Sequence, residues 1–353
     1  MNSSTPVITK NSKNKIRVDY EGKLTVKERM LKKLKTSNTW VKVIINIFRF
    51  IMMLGISFVI IYPFIAKIAG SFMTPEDVID STVSLIPKNP TLEIYRAIFF
   101  EKEYPKAFLN TALLSLGCAV VQTFISCLVG YGLAKFKFKG NKLVMGLVVL
   151  TMVIPHGTLE LAMGEHFAHF DLMTVKTWDY VGIFELITGS SLQLTNTFTP
   201  FIILSIFGLA FKNGLYIYLM RQFFKGIPDE LEESAYVDGA GTIRTFFQII
   251  IPLAVPMMIT VFLFSFSWQW TDNFYTELFY VPGSQGELDT VLMPDLLEDP
   301  LSGSLMYNGA GKDIYTSVVV NTASLMIIMP LVILYLFCQK YLVQGIERSG
   351  LVG

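Results

Sequence analysis

The sequence predicts an all-α membrane protein with six transmembrane helices, and two observations lead to this prediction. The chain has 353 residues, of which 52% are hydrophobic and only 16% are charged. Soluble domains carry about 25% charged residues, so this chain has too little polar surface for a water-facing globule. Its hydrophobic residues also lie in long stretches that lack Asp, Glu, Lys and Arg. A helix needs about 20 such residues to cross the hydrocarbon core.

Six stretches meet this requirement, and we predict that each is a membrane span. The fourth span begins after the polar segment GSSLQLTNT and tolerates one charge, Lys212. Prolines lie in or beside several spans, as membrane helices packed against neighbours allow. The predicted spans are residues 50–66, 107–134, 143–159, 198–220, 245–271 and 314–339.

The distribution of charge predicts that both termini are cytoplasmic, since cytoplasmic loops carry an excess of Lys and Arg. The first 42 residues carry eleven Lys and Arg against three acids, and the 135–142 link adds four lysines. The opposite side is acidic, because residues 272–313 carry eight acids against one lysine. The net charge of +1 gives no basis for binding nucleic acid.

The basic N-terminal arm, residues 1–42, has two interpretations: a topology determinant or a segment that binds a partner. Its 24–35 portion, LTVKERMLKKLK, could form a short helix on the anionic lipid surface. We expect a membrane domain over residues 43–344 and a cytoplasmic tail over residues 345–353.

The link between the fourth and fifth spans breaks the charge rule, because it should be basic but is acidic. Pro228 and the acids after it favour the start of a helix. Gly239 and Gly241 allow a turn before a second helix. We call residues 228–244 the acidic loop and predict that they form a helix–turn–helix with exposed carboxylates. The alternative is an ordinary solvated loop. The acids are Asp229, Glu230, Glu232, Glu233 and Asp238.

This loop carries a recognisable motif. The order Glu233-Ser234-Ala235, Asp238-Gly239-Ala240, Ile249, Pro252, Leu253 and Pro256 resembles the EAA motif of ATP-binding-cassette (ABC) importer permeases. Ser234 stands where that family usually has Ala, a change between small residues. The segments GYGLAKFKFKGN (130–141), SFSWQWTDNF (265–274) and QKYLVQGIERSGLVG (339–353) are similar to the maltose-transporter-type carbohydrate branch.

The resemblance implies a type I ABC importer permease fold in a bacterial cell membrane, with cytoplasmic coupling helices. It implies four kinds of protein or lipid partner: two ATPase subunits, a second homologous permease, a lipid-anchored or periplasmic solute-binding protein, and membrane lipid. ATP and Mg²⁺ would be bound by the ATPase subunits, so this chain is expected to hold no cofactor and to be no enzyme. The nearest Walker A candidate, YNGAGKD (307–313), lacks the first glycine at the required spacing and ends in Asp.

The resemblance also implies which residues couple the chain to the ATPase, within a cytoplasmic coupling loop at 222–245. Glu233 would accept charge-assisted hydrogen bonds from a basic residue of that subunit. Gly239 would supply the turn, Asp238 would fix its geometry, and the tail at 345–353 would be a second contact. The implied coupling residues are Glu232, Glu233, Ser234, Ala235, Asp238, Gly239, Ala240 and Pro252.

The substrate pathway of a saccharide importer is lined by aromatic rings and hydrogen-bonding side chains. The candidates here are Trp268, Trp270, Asn273, Tyr275 and Asn321. The alternative for the aromatic residues is a belt at the membrane interface. Polar residues inside the spans, such as Asn110, Gln122, Asn321 and Thr322, are more often interhelical hydrogen-bond partners than ligand contacts.

An external insertion at about 156–197 holds all three histidines of the chain, His156, His166 and His169. Glu165-His166 followed by His169 is not the HExxH order of a zinc site, and no cysteine is near, so we expect no metal. We interpret the insertion as a contact for the binding protein or a cap on the pathway. The three cysteines, Cys118, Cys127 and Cys338, lie in apolar runs and are expected to be buried hydrophobes.

The leading hypothesis is a permease subunit for a sugar or oligosaccharide, coupled to separate ATPases through residues 228–244. One alternative is the same architecture importing a polyamine or a peptide. A stand-alone secondary transporter is a second alternative, but the long charge-free spans give little support for ion coupling. A membrane-embedded enzyme is a third, and no paired carboxylates or Ser-His-Asp grouping lie within the spans.

Overall fold

The structure is a computed structural model. It describes residues 7–10, 16–19, 37–171, 174–176, 180–280 and 291–350, with side chains for residues 40–171, 182–280 and 291–342. The predicted helix at 24–35 lies outside the described residues, and so do the last three residues of the tail.

The chain divides into two compact units, residues 1–66 and residues 67–353. The first unit contains an antiparallel hairpin of β1 (Val7–Lys10) and β2 (Ile16–Asp19). It also contains most of helix α1 (Ser37–Gly70), whose side chains are exposed from residue 40 to residue 65. An apolar helix exposed on all its faces is typical of a helix that lies in lipid.

The second unit holds the remaining elements, which are nearly all helical. Before the acidic loop these are α2 (Pro75–Ile79), α3 (Glu93–Arg96), α4 (Tyr104–Lys135), α5 (Asn141–Val153), α6 (Glu160–Ala168), β3 (Thr174–Lys176), β4 (Tyr180–Gly182), α7 (Ile183–Thr188), α8 (Thr199–Ile206) and α9 (Asn213–Lys225). From the acidic loop onward they are α10 (Glu230–Val237), α11 (Thr242–Trp270), α12 (Phe274–Phe279) and α13 (Lys312–Gly350).

Among the residues that the structure describes, four helices are long and apolar enough to cross a membrane: α1, α4, α11 and α13. They match the predicted spans one, two, five and six, and α1 is longer than predicted, since it begins at Ser37. The prediction of an all-α chain needs a correction, because the described residues include two short hairpins, β1–β2 and β3–β4. The second hairpin lies inside the external insertion.

The predicted third span is shorter than expected. Helix α5 has 13 residues, so it is about 20 Å long at 1.5 Å per residue, less than the roughly 30 Å hydrocarbon core. It ends at Val153, just before Pro155, whose ring disfavours helix in the residue before it. A short 3₁₀ turn, His156–Thr158, follows.

The predicted fourth span is not one continuous helix. Helices α8 and α9 are separated by residues 207–212, in which Gly208 (φ 71°) and Lys212 (φ 62°) both adopt the left-handed conformation. Gly208 ends α8 as glycine commonly ends helices, because it enters this region without steric cost. The count of six spans therefore stays a prediction, with the third and fourth spans the ones in question.

The core of the second unit forms around α4, which packs against α9 and α11. At the end near the acidic loop, buried residues of the three helices form one apolar cluster that includes Tyr131, Met220 and Ile250. Gly130 lets α4 approach α9 closely, since a Cβ on Gly130 would lie 2.7 Å from the Cβ of Met220. Cys118 and Cys127 are buried, as predicted, whereas Cys338 is only half-buried.

Candidate functional site

The acidic loop folds as the helix–turn–helix that its sequence predicts. Helix α10 ends at Val237, Gly239 adopts a left-handed conformation (φ 82°), and α11 begins at Thr242. The backbone N–H of Ala240 donates to the carbonyl of Ala235 at 2.9 Å, which closes the end of α10. Glycine is favoured at the residue after a helix for this reason.

The five acids of the loop do not form one exposed cluster, which corrects the sequence prediction. Asp229, Glu230, Glu233 and Asp238 are exposed, but Glu232 is only 8% exposed. Glu232 lies on the inner face of α10 beside buried Ala235. The spacing of three residues between them places both on one side of a helix.

Glu232 is buried because it contacts the end of α4. Its Oε2 accepts a hydrogen bond from the hydroxyl of Tyr131 at 3.1 Å. Its Oε1 lies 3.6 Å from Nζ of Lys135, whose side chain is only 6% exposed. A buried charge needs a partner, and Tyr131 and Lys135 supply it. Tyr131 lies 101 positions before Glu232 in the sequence, so this contact joins two distant parts of the chain.

Lys135 joins the start of the acidic loop to α4 through two further contacts. Its Nζ donates to the carbonyl of Ile227 at 2.6 Å and to Oδ1 of Asp229 at 2.5 Å. The hydrogen bond and charge of Lys135 lower the pKa of Asp229 below its ordinary value of 3.8. The sequence assigns Lys135 only to topology, so this structural contact is one that sequence reasoning missed.

The outer face of α10 is open to solvent. Glu233 and Ser234 are exposed, and the Ser234 hydroxyl donates back to the carbonyl of Leu231 at 3.0 Å. The side chain of Asp238 makes no hydrogen bond or ion pair with any residue in the described part of the chain. Backbone hydrogen bonds and the conformation of Gly239 therefore set the turn, not the carboxylate of Asp238.

Two large apolar side chains on this face are among the most exposed in the chain. Val237 is 88% exposed and Ile243 is 75% exposed, one on each side of Gly239. No Cβ contact lies within 4 Å of Gly239, so the surface between them is open. Exposed apolar residues grouped in this way mark surfaces that bind another protein. Their positions beside the turn glycine could have indicated this in the sequence.

The remaining implied coupling residues lie at the edges of this surface. Ala240 is half-buried in the turn, and Pro252 is exposed on α11. A π-helical turn, Phe246–Ile250, precedes Pro252, whose nitrogen cannot donate a hydrogen bond. The roles of the eight implied residues in coupling stay predictions.

The candidate pathway residues fall into two groups. Trp268 and Asn273 are exposed, at the outer end of α11 and just beyond it. Trp270 and Tyr275 are buried, with 1% and 2% of their surfaces exposed. Asn321 on α13 is half-buried, and its side chain makes no hydrogen bond with a described residue.

The two buried aromatic residues already use their polar atoms within the chain. The indole N–H of Trp270 donates to the carbonyl of Ile327 at 2.9 Å. The hydroxyl of Tyr275 lies 2.9 Å from Nδ1 of His156. In this conformation only Trp268 and Asn273 of the four residues near 270 offer a surface to a solute, and the assignment of all five candidates stays a prediction.

Among the polar side chains predicted within the spans, Gln122 joins three helices. Gln122 on α4 donates to Ser205 on α8 at 3.1 Å and accepts from Ser265 on α11 at 2.7 Å. Asn110 donates to the carbonyl of Val291 at 3.0 Å. The bonds of Gln122 are interhelical, a usual role of polar residues in membrane helices, whereas the partner of Asn110 lies outside the helices.

The histidines of the external insertion lie among aromatic rings. His156 packs against Phe211 with ring centroids 4.8 Å apart, and His166 packs against Phe170 at 5.3 Å. Among the described residues, no three His, Cys, Asp or Glu side chains are grouped as metal ligands. The insertion also reaches the core, because Phe167 packs against Phe279.

Known proteins resemble this chain over most of its length. The polygalacturonan/rhamnogalacturonan transport system permease protein YtcP of Bacillus subtilis (strain 168) is 27% identical over 309 residues, which cover 87% of this chain and 97% of that protein. The galactooligosaccharides transport system permease protein GanQ of the same organism is 28% identical over 316 residues, covering 87% and 95%.

A solved structure shows the same fold. It is the crystal structure of a bacterial ABC transporter involved in the import of the acidic polysaccharide alginate, and one chain of it matches with a TM-score of 0.63 and 22% identity. The match covers 87% of this chain and 98% of that chain.

A family description covers well over half of the sequence, including the acidic loop and helices α8 to α13. Residues 122–348 match the family described as binding-protein-dependent transport system inner membrane component. The four long apolar helices agree with a protein embedded in a membrane. The chain belongs to the family of binding-protein-dependent transport system inner membrane components.

Proposed function

We propose that this chain is the permease subunit of an ATP-driven importer for a sugar or oligosaccharide, and that it forms half of the pathway. The observation that carries the coupling part of the proposal is the acidic loop. Its inner face is fixed to α4 through Glu232, while its outer face presents Glu233 and two exposed apolar residues, Val237 and Ile243. A surface of this kind needs a partner protein.

The saccharide class is supported by the relatives. YtcP and GanQ are named for the transport of polygalacturonan/rhamnogalacturonan and of galactooligosaccharides. A similar structure is described as an alginate ABC transporter in complex with a pentasaccharide-bound periplasmic protein. These names describe those proteins, and they favour a saccharide over a polyamine or a peptide for this chain.

The proposed assembly contains two ATPase subunits, a second homologous permease and an external solute-binding protein. ATP and Mg²⁺ would bind the ATPase subunits. Both termini would be cytoplasmic, which places the acidic loop on the same side as the ATPases. Six spans, two of them short or broken, would form the membrane domain.

The contacts of α10 support a route by which movement of an ATPase would reach the membrane helices. Lys135 and Tyr131 connect α10 to the end of α4, and Nε of Arg221 on α9 donates to the carbonyl of Leu133 at 3.3 Å. Helix α4 then packs along α9 and α11 in a shared core. Closely packed helices move as rigid bodies, so displacement of α10 would move this group together.

Co-purification tests the assignment of the docking surface. The chain is expressed with its two ATPase subunits and second permease, and the ATPase retained per permease is measured. Val237→Asp is expected to lose most of the ATPase, because it places a charge in an apolar contact. Ile86→Asp is the matched control, since Ile86 is 83% exposed but lies far along the chain from the acidic loop. Full ATPase retention by the Val237 variant would show that this surface is not the contact.

The external insertion is proposed to contact the binding protein. Its exposed apolar residues support this, since Leu161 is 81% exposed, Ile187 is 73% exposed and Leu186 is 69% exposed. Deletion of about 160–195 would also remove Phe167 from the core, so a substitution is the sharper test. Ile187→Asp is expected to weaken binding of the solute-binding protein at unchanged ATPase content; unchanged binding would rule out this contact.

A further inference from the structure

The break in the fourth predicted span places a charged residue in an unusual position. Lys212 is the last residue before α9, and α9 runs for 13 residues to the start of the loop region. That helix is about 20 Å long, so the predicted fourth span places Lys212 within the roughly 30 Å hydrocarbon core. Lysine at such a depth costs about 3 kcal/mol in lipid and normally faces a water-filled cavity or a partner.

The charge of Lys212 is held in place but not neutralised. Its Nζ lies 4.8 Å from the ring centroid of Phe211 and 5.2 Å from that of Trp268. Aromatic faces attract a cation without removing its charge. Lys212 is exposed, and it forms no ion pair with an acid in the part of the chain whose side chains are described. A solute with a negative charge would find an unopposed partner here.

The next residue supplies a second, independent group. Asn213 is fully buried, and its Oδ1 lies 3.5 Å from the hydroxyl of Ser126. Its Nδ2 has no hydrogen-bond partner, and it faces Gly208, where a Cβ would lie only 3.2 Å from it. A buried amide donor without a partner is costly, so it marks a place where an acceptor binds.

One cavity of about 250 Å³ lies between α5 and the break. Its lining includes Lys212, Asn213, Gly208, His156 and Thr151. Helix α9 begins at this cavity, and the N-terminal end of a helix carries a partial positive charge. Broken helices with their N-terminal ends aimed at anionic groups of substrates are a recurring arrangement in transporters. The ring of Trp268 is half-exposed and lies 5.2 Å from Nζ of Lys212, so it offers an apolar face beside the ammonium group.

We infer that this break is a subsite for the carboxylate of an acidic saccharide. Lys212 supplies the opposite charge, the amide of Asn213 donates a hydrogen bond to a carboxylate oxygen, and the indole of Trp268 contacts the sugar ring. The inference rests on the proposed function, since it names the substrate class within saccharide import. Such a subsite would favour a uronate oligosaccharide over a neutral one.

The test compares two labelled probes, trigalacturonate and its methyl ester, which share the sugar chain but differ in the negative charge of their carboxyl groups. Uptake is measured in proteoliposomes that hold the complete importer, with its binding protein outside and ATP on the side of the ATPases. The variants are Lys212→Met, which keeps most of the side-chain length, and Lys212→Arg, which keeps the charge. Lys139→Met, an exposed lysine in the 135–142 link, is the control for loss of one positive charge.

We expect Lys212→Met to lower uptake of trigalacturonate about tenfold or more, as loss of a charge-assisted hydrogen bond predicts. Lys212→Arg and Lys139→Met should stay near wild type, and uptake of any transported ester should not change. ATP hydrolysis stimulated by the empty binding protein should be the same in all variants. If the wild type takes up only the acid, loss in Lys212→Met with retention in Lys212→Arg supports the inference.

Three results would overturn it. The first is normal uptake of trigalacturonate by Lys212→Met, and the second is an equal loss of both probes. The third is a wild type that takes up only the ester or another neutral oligosaccharide, which leaves the proposed function intact and removes the acidic subsite. A wild type that takes up no saccharide would instead refute the proposed function, and the subsite with it.

Discussion

The hydroxyl of Tyr131 donates a hydrogen bond to the carboxylate of Glu232 at 3.1 Å, so the last turns of α4 and the inner face of α10 are joined. The neighbouring Glu233 is exposed on the opposite face. Two adjacent acids of the same motif therefore have different environments. One holds the loop to the membrane domain, and the other is available to a partner.

This difference predicts that the two acids respond oppositely to substitution. Glu232→Ala should lower the thermal stability of the purified permease, because it leaves the buried Lys135 without one of its acidic partners, at a cost of about 2–3 kcal/mol. Glu233→Ala should leave the Tm unchanged and reduce co-purified ATPase. Thermal denaturation and subunit stoichiometry measure the two effects. If both variants lost ATPase at equal Tm, the inward role of Glu232 would be wrong.

The turn glycine gives a second prediction. Gly239→Asp should abolish uptake while the chain still inserts, because Gly239 has a left-handed φ of 82° and faces the open surface beside Val237. Gly241→Asp is the control, since Gly241 has φ −78° and equally open surroundings. It should retain far more transport. Normal coupled ATPase activity in the Gly239 variant would refute docking through this turn.

The crossing of α4 and α9 predicts that two glycines on one helix behave oppositely. Gly130→Ala should destabilise the protein by a few kcal/mol, because the new Cβ would lie 2.9 Å from the backbone nitrogen of Arg221. Gly132→Ala should be neutral or stabilise by up to about 1 kcal/mol, since its nearest neighbour is 4.0 Å away and alanine favours helix. Thermal denaturation of the two variants in the same detergent tests this pair, and a stable Gly130 variant would contradict the close crossing.

A buried acid beyond the end of α11 predicts a pH dependence. Burial raises the pKa of Asp272 from 3.8 to about 7, and Glu277 adds a smaller effect in the same direction. The folded state thus binds a proton more tightly than the unfolded state. The contribution of Asp272 to the free energy of unfolding is therefore fully present below pH 4 and is lost as the pH rises through 7.

The measurement is the Tm at pH 5 and at pH 8 for the wild type and Asp272→Asn. Between pH 5 and pH 8 the free energy of unfolding of the wild type should fall by a few kcal/mol because of Asp272. The fall should be smaller in the variant, because asparagine stays neutral and its side-chain oxygen can still accept a hydrogen bond from the N–H of Tyr275. Parallel curves for the two proteins would show that Asp272 is not buried as described.

Sequence reasoning reached the acidic loop because its determinants are local. Pro228, the acids and Gly239 lie within a dozen residues, and each favours one step of the helix–turn–helix. It missed the burial of Glu232, because Tyr131 and Lys135 come from a distant part of the chain. No periodicity within the loop shows which acid faces α4.

The pathway candidates show a similar limit. Trp268 and Trp270 are two positions apart on α11, so they lie on different faces of the helix, and only a partner helix decides which face is buried. Here α13 packs against Trp270, and the carbonyl of Ile327 on α13 accepts a hydrogen bond from the Trp270 indole N–H. The break at 207–212 was also missed, because the sequence prediction ran one span through it, although Gly208 and Lys212 both interrupt an apolar run there.

We propose that ATP hydrolysis in partner subunits drives saccharide uptake through this chain. Uptake of a labelled oligosaccharide into proteoliposomes that hold the complete importer tests it most directly, with the binding protein outside and ATP either supplied to the ATPases or omitted. We expect uptake that requires both ATP and the binding protein and that is lost in Gly239→Asp. Uptake by this chain without ATP, driven by an ion gradient alone, would contradict it.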